Sequence, residues 1–111
     1  DLFVENIKEY FPETKIEEAG HFTASTDMGD ISHLMPSIHP FIGGVDGGLH
    51  TRDFCVTDFD AAAILPGKVF AMNIIDLLYD EAAMAKEILE KEKPILTKEE
   101  YLAKMESYFQ S

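Results

Sequence analysis

Residues 25–54, STDMGDISHLMPSIHPFIGGVDGGLHTRDF, hold five of the chain's seven glycines (Gly29, Gly43, Gly44, Gly47 and Gly48) together with Pro36 and Pro40. Glycine visits backbone conformations that other residues avoid, and proline lacks an amide donor, so this stretch cannot be one long helix or a central strand. It has to be loop, short helix and sheet edge, which pushes regular structure to the flanks. Three of the four histidines, His33, His39 and His50, fall in the same stretch among serine, threonine and aspartate side chains. Loops of this composition are where binding chemistry concentrates.

In the upstream flank, Phe3, Ile7 and Phe11 recur at spacings of four with Leu2 and Tyr10 beside them. That pattern predicts a helix over 1–11 laid on a core and ended by Pro12. Residues 13–20 are acidic with Ile16 as their one large apolar side chain, and read as a brief extended piece or plain loop; 21–24 read as a short strand. Met28–Leu34 suits one or two helical turns. Residues 35–42 place Ile38, Phe41 and Ile42 around two prolines, an edge or irregular strand at best. After a turn at 43–48 and an extended piece at 54–56, Thr57 with Asp60 resembles a capping box with a shortened acid.

The helical pattern that follows runs to about Leu78. Its Ile64, Leu65, Val69, Phe70, Met72, Ile74, Ile75, Leu77 and Leu78 leave hardly any polar face, which predicts burial. Pro66-Gly67 either kinks this helix or marks where its main part begins. Asp80 is expected to cap a second helix reaching Lys91, and Thr97-Lys98-Glu99-Glu100 is a full capping box before a last amphipathic helix. In that helix Tyr101, Leu102, Met105, Tyr108 and Phe109 form one stripe. The elements together predict an α/β fold: a small mixed sheet with three or four helices, the helix around Val69 and Leu78 at its centre.

A length of 111 residues suits a single domain, and 46% apolar residues can build a core. The net charge of −12 opposes binding to nucleic acid or an anionic membrane, both of which call for a basic surface. The lone Cys55 has no partner for an internal bridge, no apolar run approaches the ~20 residues that span a bilayer, and no secretory signal opens the chain. These features read as cytoplasmic. The chain starts at Asp1 with an amphipathic pattern already under way, and so reads as part of something longer.

Two groups of residues are candidates for chemistry. Ser25, Thr26 and Asp27 are all good helix N-caps, and a strand ending in such a cap aims several backbone amides, Gly29's among them, at one spot suited to an anion such as a substrate carboxylate. The same residues serve equally to cap a structural turn. His50, which follows a glycine pair in Leu49-His50-Thr51-Arg52-Asp53-Phe54, is displayed as a metal ligand or general base would be, or as a hydrogen-bonded structural residue.

The succession Ala24-Ser25-Thr26-Asp27-Met28-Gly29-Asp30-Ile31-Ser32, then Met35-Pro36-Ser37-Ile38-His39-Pro40, then Leu49-His50-Thr51 with Phe54, then an alanine-rich aliphatic helix with Lys68 and Asp76-Leu77-Leu78, resembles the C-terminal part of the M20 metallopeptidase and amidohydrolase catalytic domain. The branch it is most similar to holds aminobenzoyl-glutamate hydrolase, aminoacylase-like and dipeptidase-like enzymes. The likeness covers about residues 20–80, with a helical tail over 80–111.

The resemblance implies a piece of a three-layer zinc-peptidase-like domain. It also implies a hydrolase that uses a pair of divalent metal ions, usually zinc, to cleave amide bonds of N-acyl amino acids, short peptides or folate-like conjugates. In such enzymes one metal polarises the scissile carbonyl and a bridging water becomes hydroxide. His50 matches the family's metal-ligating histidine near the end of the catalytic domain. Ser25, Thr26, Asp27 and Gly29 match a turn lining the substrate site. The family's HxDxxP-type motif, bridging aspartate and Glu-Glu pair do not occur here, and one imidazole falls short of the about three protein ligands of a catalytic zinc.

Three expectations follow. The first is a C-terminal portion of an amidohydrolase, inactive alone, whose partner is a small amide or peptide substrate in the complete enzyme. The second is an interaction module in which 80–111 covers an exposed sheet edge or pairs with another copy, a homo-oligomer. The third is a self-contained metal site using His21, His33, His39 or His50 with Asp27 or Asp30. An incomplete sheet also predicts unusual exposed apolar surface.

Overall fold

The computed structural model describes residues 2–17, 20 and 24–110. Among them the elements follow in the order α1 (Leu2–Tyr10), α2 (Met28–Leu34), β1 (Val45–Asp46), β2 (Cys55–Val56), α3 (Leu65–Lys91) and α4 (Lys98–Phe109), with a π-helical turn at Asp60–Ile64 ahead of α3. The chain forms two compact units, Asp1–Glu18 with Pro40–Ala82 and Ala19–His39 with Ala83–Ser111. Among the described residues the architecture is helix-rich with one small sheet, a small α/β arrangement. The sheet itself is an antiparallel pair, Val45 opposite Val56 and Asp46 opposite Cys55, rather than a mixed sheet. Residues 35–42 form no strand, as two prolines without donors would dictate. Most of the strand expected over 21–24 lies outside the described residues.

In the first unit, α1 buries Phe3 and Ile7 against Val69, with Phe11, Ile42 and Leu65 packed around them. The Phe3 and Phe70 rings sit 5.4 Å apart between centroids at a tilt of 54°. Burying an aliphatic or aromatic side chain of this size contributes about 1.5–3 kcal/mol. The i, i+4 stripe thus meets a core where the spacing predicts one. The helix stops before Pro12: Phe11 N donates to Ile7 O at 2.8 Å and Thr14 N to Phe11 O at 2.9 Å, closing the chain into a turn.

The entry to α3 differs from expectation in its cap. Thr57 N and Asp58 N both donate to Gly44 O, at 2.9 and 3.1 Å, so Thr57 is tied to the base of the hairpin. Asp58 takes the capping role instead, its carboxylate accepting from Ala61 N at 3.0 Å. Leu65 N reaches back to Asp60 O, a π-type bond, and Pro66 then brings no donor at all. Pro66 therefore stands in the first turn of α3 proper, where its missing donor is tolerated.

The break in α3 comes later, at 79–82. Tyr79 is extended (ψ 151°), and Asp80, Glu81 and Ala82 have φ of 50°, 55° and 61°. Asp80 is consequently a left-handed residue and not a cap; helix resumes at 83. Val69 is fully enclosed (0% exposed) and Pro66 and Asn73 are buried, but Phe70, Ile74, Ile75 and Leu78 are exposed. The predicted burial of this helix thus holds for one stripe, the one α1 covers. Counted with its charged residues, Asp60–Lys91 is long and apolar enough to cross a bilayer by length and composition alone, which inspection for an unbroken apolar run does not detect.

In the second unit, Leu96 N donates to His33 O at 3.0 Å, joining α2 to the segment before α4. The predicted capping box forms: Glu100 N donates to Thr97 Oγ1 at 3.2 Å, and Thr97 N to Glu100 Oε2 at 2.8 Å. In the α4 stripe Tyr101 and Met105 are half-buried while Leu102, Tyr108 and Phe109 are exposed. None of this unit's described residues is fully buried.

Candidate functional site

The polar turn ahead of α2 is built as its residue types suggest, with Thr26 as the working member. Thr26 Oγ1 accepts from Met28 N at 3.0 Å and Thr26 O from Gly29 N at 3.0 Å. Asp27 O accepts from Asp30 N at 3.1 Å and Ile31 N at 3.3 Å, while the Asp27 side chain makes no cap. The amides of residues 28–31 are therefore satisfied inside the chain. At the other side of this helix turn, Gly29 O accepts from Ser32 Oγ at 2.9 Å and from His33 Nδ1 at 2.6 Å, which places the imidazole proton on Nδ1. Ser25, Thr26, Asp27 and Gly29 are all exposed.

His50 sits in the loop that joins β1 to β2. Gly47 enters it at φ +87°, where an added Cβ would lie 2.8 Å from Phe54 N, and Gly47 N donates to Asp46 Oδ1 at 2.8 Å. Thr51 closes the loop: its amide and hydroxyl both donate to Gly48 O, at 3.1 and 2.6 Å, and its hydroxyl also meets Asp53. That hydroxyl holds the Asp53 carboxyl below the usual carboxylate range. These bonds turn the backbone of His50 into the left-handed region (φ 64°) and leave the residue exposed.

The structure assigns the candidates to different units. The turn at Ser25, Thr26, Asp27 and Gly29, with His33, His39 and Asp30, belongs to the second unit, and His50 belongs to the first. His21 lies outside the described residues. Among the described residues no three His, Cys, Asp or Glu side chains gather as a metal would require. The residues present thus do not fit a zinc centre by themselves, and the free thiol Cys55 is exposed and apart from any such group.

Two polar arrangements are absent from the sequence reading. Asn6 and Asn73, 5% and 6% exposed, lie inside the helix contact, where Asn6 Nδ2 donates to Asn73 Oδ1 and to Asp76 Oδ2, both at 2.8 Å. The signal was there: Asn6 follows Phe3 by three and Asn73 follows Val69 by four, polar residues on the apolar faces. In the second unit, burial and the neighbouring Asp30 carboxylate, which accepts a hydrogen bond from the phenol, push the Tyr101 hydroxyl up from its ordinary value. No family model matches the chain, and no curated protein or solved structure matches it either.

Proposed function

We propose that this chain is the C-terminal portion of a metal-dependent amidohydrolase of the M20 type, acting on N-acyl amino acids, short peptides or folate-like conjugates, and inactive by itself. The observation that carries the proposal is the order of the motifs: the Ser25-Thr26-Asp27 turn, Met35-Pro36, Leu49-His50-Thr51 and the aliphatic helix with Lys68 and Asp76 follow one another as in that family. Two local features support it. His50 is exposed on a loop whose hydrogen bonds define its backbone, and Ser25, Thr26, Asp27 and Gly29 are accessible at the front of α2.

In this reading His50 contributes one ligand to a divalent metal pair, zinc in the simplest case, and the remaining ligands and the general base belong to a segment that carries the HxDxxP-type motif and the Glu-Glu pair. That segment and the rest of the three-layer domain would adjoin the apolar face that α3 leaves bare. With the amides of residues 28–31 already engaged, a substrate carboxylate would be met by the side chains of Ser25 and Thr26.

The test is complementation. The chain is co-expressed with an N-terminal segment carrying the missing motifs, and hydrolysis of an N-acyl amino acid is followed with added zinc. Activity is expected only with both pieces present, and His50→Ala is expected to abolish it without preventing their association. Association without activity under any divalent metal, or full activity in the His50→Ala pair, would remove the assignment.

A further inference from the structure

We propose that the first unit carries a binding site for a small alkylammonium ion, in the cavity of about 280 Å³ lined by Asn6, Tyr10, Met72, Ile75 and Asp76. The inference goes beyond the hydrolase reading and does not depend on it. The floor of the cavity is polar and built into the helix contact: Asn6, 5% exposed, spends its amide donors on Asn73 and on Asp76, which fixes the half-buried Asp76 carboxylate in place. Among the described residues no lysine or arginine pairs with Asp76, so amide hydrogen bonding is all that answers its charge from that side. Beside this lining, Glu9 accepts a hydrogen bond from Tyr10; Glu9, together with burial and Asp76, holds the Tyr10 phenol protonated above its ordinary range.

The walls have the opposite character. Met72 and Ile75 contribute thioether and aliphatic side chains to the lining, and Tyr10 an aromatic one. A carboxylate, an aromatic ring and apolar side chains lining one cavity match an ammonium head with a short alkyl tail: ion pair and cation–π contact for the head, apolar contact for the tail. An anion would meet Asp76 and Glu9 with like charge, and a bare metal ion would leave the apolar walls unused. A chain of net charge −12 also draws cations toward such a cleft.

The experiment is a titration of the whole chain with n-butylammonium chloride, followed by amide and methyl chemical shifts, against sodium chloride at equal ionic strength and against n-butanol. Saturable shifts centred on Asn6, Tyr10, Met72, Ile75 and Asp76 are expected with millimolar affinity, absent with sodium and at least tenfold weaker with butanol. Asp76→Asn keeps an oxygen for Asn6 while deleting the charge, and should weaken binding at least tenfold. Ile75→Lys, at a position 64% exposed and therefore tolerant, places a tethered ammonium at the site and should block the ligand even if Asp76→Asn fails to fold. Shifts scattered over the acidic surface, or binding unchanged in Ile75→Lys, would overturn the proposal.

Discussion

Single residues decide the stability of the first unit where polar atoms enter its core. Asn6→Ala strips the donor from Asp76 Oδ2, which is half-buried, and from Asn73 Oδ1, which is left buried without it. The expected loss is about 1–3 kcal/mol in a denaturant titration, larger than for removing an exposed hydrogen bond. The glycines sort in the same way. At Gly44 (φ +85°) an added Cβ would stand 2.5 Å from Asp58 O and 2.8 Å from Ala62 N, backbone atoms that cannot yield. Gly44→Ala should therefore cost more than ~1 kcal/mol, whereas Gly67→Ala, in open space within α3, should stabilise by about 0.5–1 kcal/mol. Opposite signs for the two substitutions in thermal melts are the outcome to look for. Only one of the two could be anticipated from residue type, because a glycine's role depends on the φ that its neighbours impose.

The capping box of α4 and the Tyr101 contact set the behaviour of whole elements with pH. The Thr97 backbone amide, then its hydroxyl, hold the Glu100 carboxyl below the ordinary glutamate value. A depressed folded value means that this contribution is present above the unfolded value of about 4.3 and fades as pH falls through the lower folded value. Helical circular dichroism from α4 should accordingly decline on acidification, and Thr97→Ala, expected to cost about 1 kcal/mol, should flatten that decline. Tyr101 runs the other way: with its folded value raised by burial and by Asp30, its contribution is complete below the unfolded value near 10 and is lost as pH rises through the folded one. Tyr101→Phe should reduce the alkaline part of the profile, leaving the share that Tyr10 contributes. The capping box was legible because both partners lie within four residues of each other. The cap on α3 was not: Thr57 has the right chemistry, but Gly44, thirteen positions upstream, claims its amide and the role passes to Asp58. The break at 79–82 was equally hidden, since no glycine or proline announces it and Asp is the residue there that tolerates a left-handed backbone most readily.

At the scale of the molecule the dominant feature is apolar surface. Phe70, Ile74, Ile75 and Leu78 on α3 and Leu102, Tyr108 and Phe109 on α4 are exposed, and the buried apolar set among the described residues is Phe3, Ile7 and Val69. Faces of this kind drive association. The chain should bind a hydrophobic dye and elute above its monomer mass in size exclusion, and Ile74→Lys with Leu78→Lys should reduce both. A strict monomer that leaves the dye dark would show that this surface is closed in solution. Local pattern alone settled where helices begin and end around Pro12, Met28 and Thr97, since spacing, caps and proline act over four residues or fewer. The expectation of leftover apolar surface came instead from the resemblance, which implies a sheet completed by a further segment. Tertiary structure decided the rest: which stripe of α3 is covered, that Asn6 and Asn73 meet across it, and that the Ser25 turn and His50 fall in different units. Those outcomes depend on partners up to seventy positions away, and no periodicity within a helix records which of its faces another element will reach.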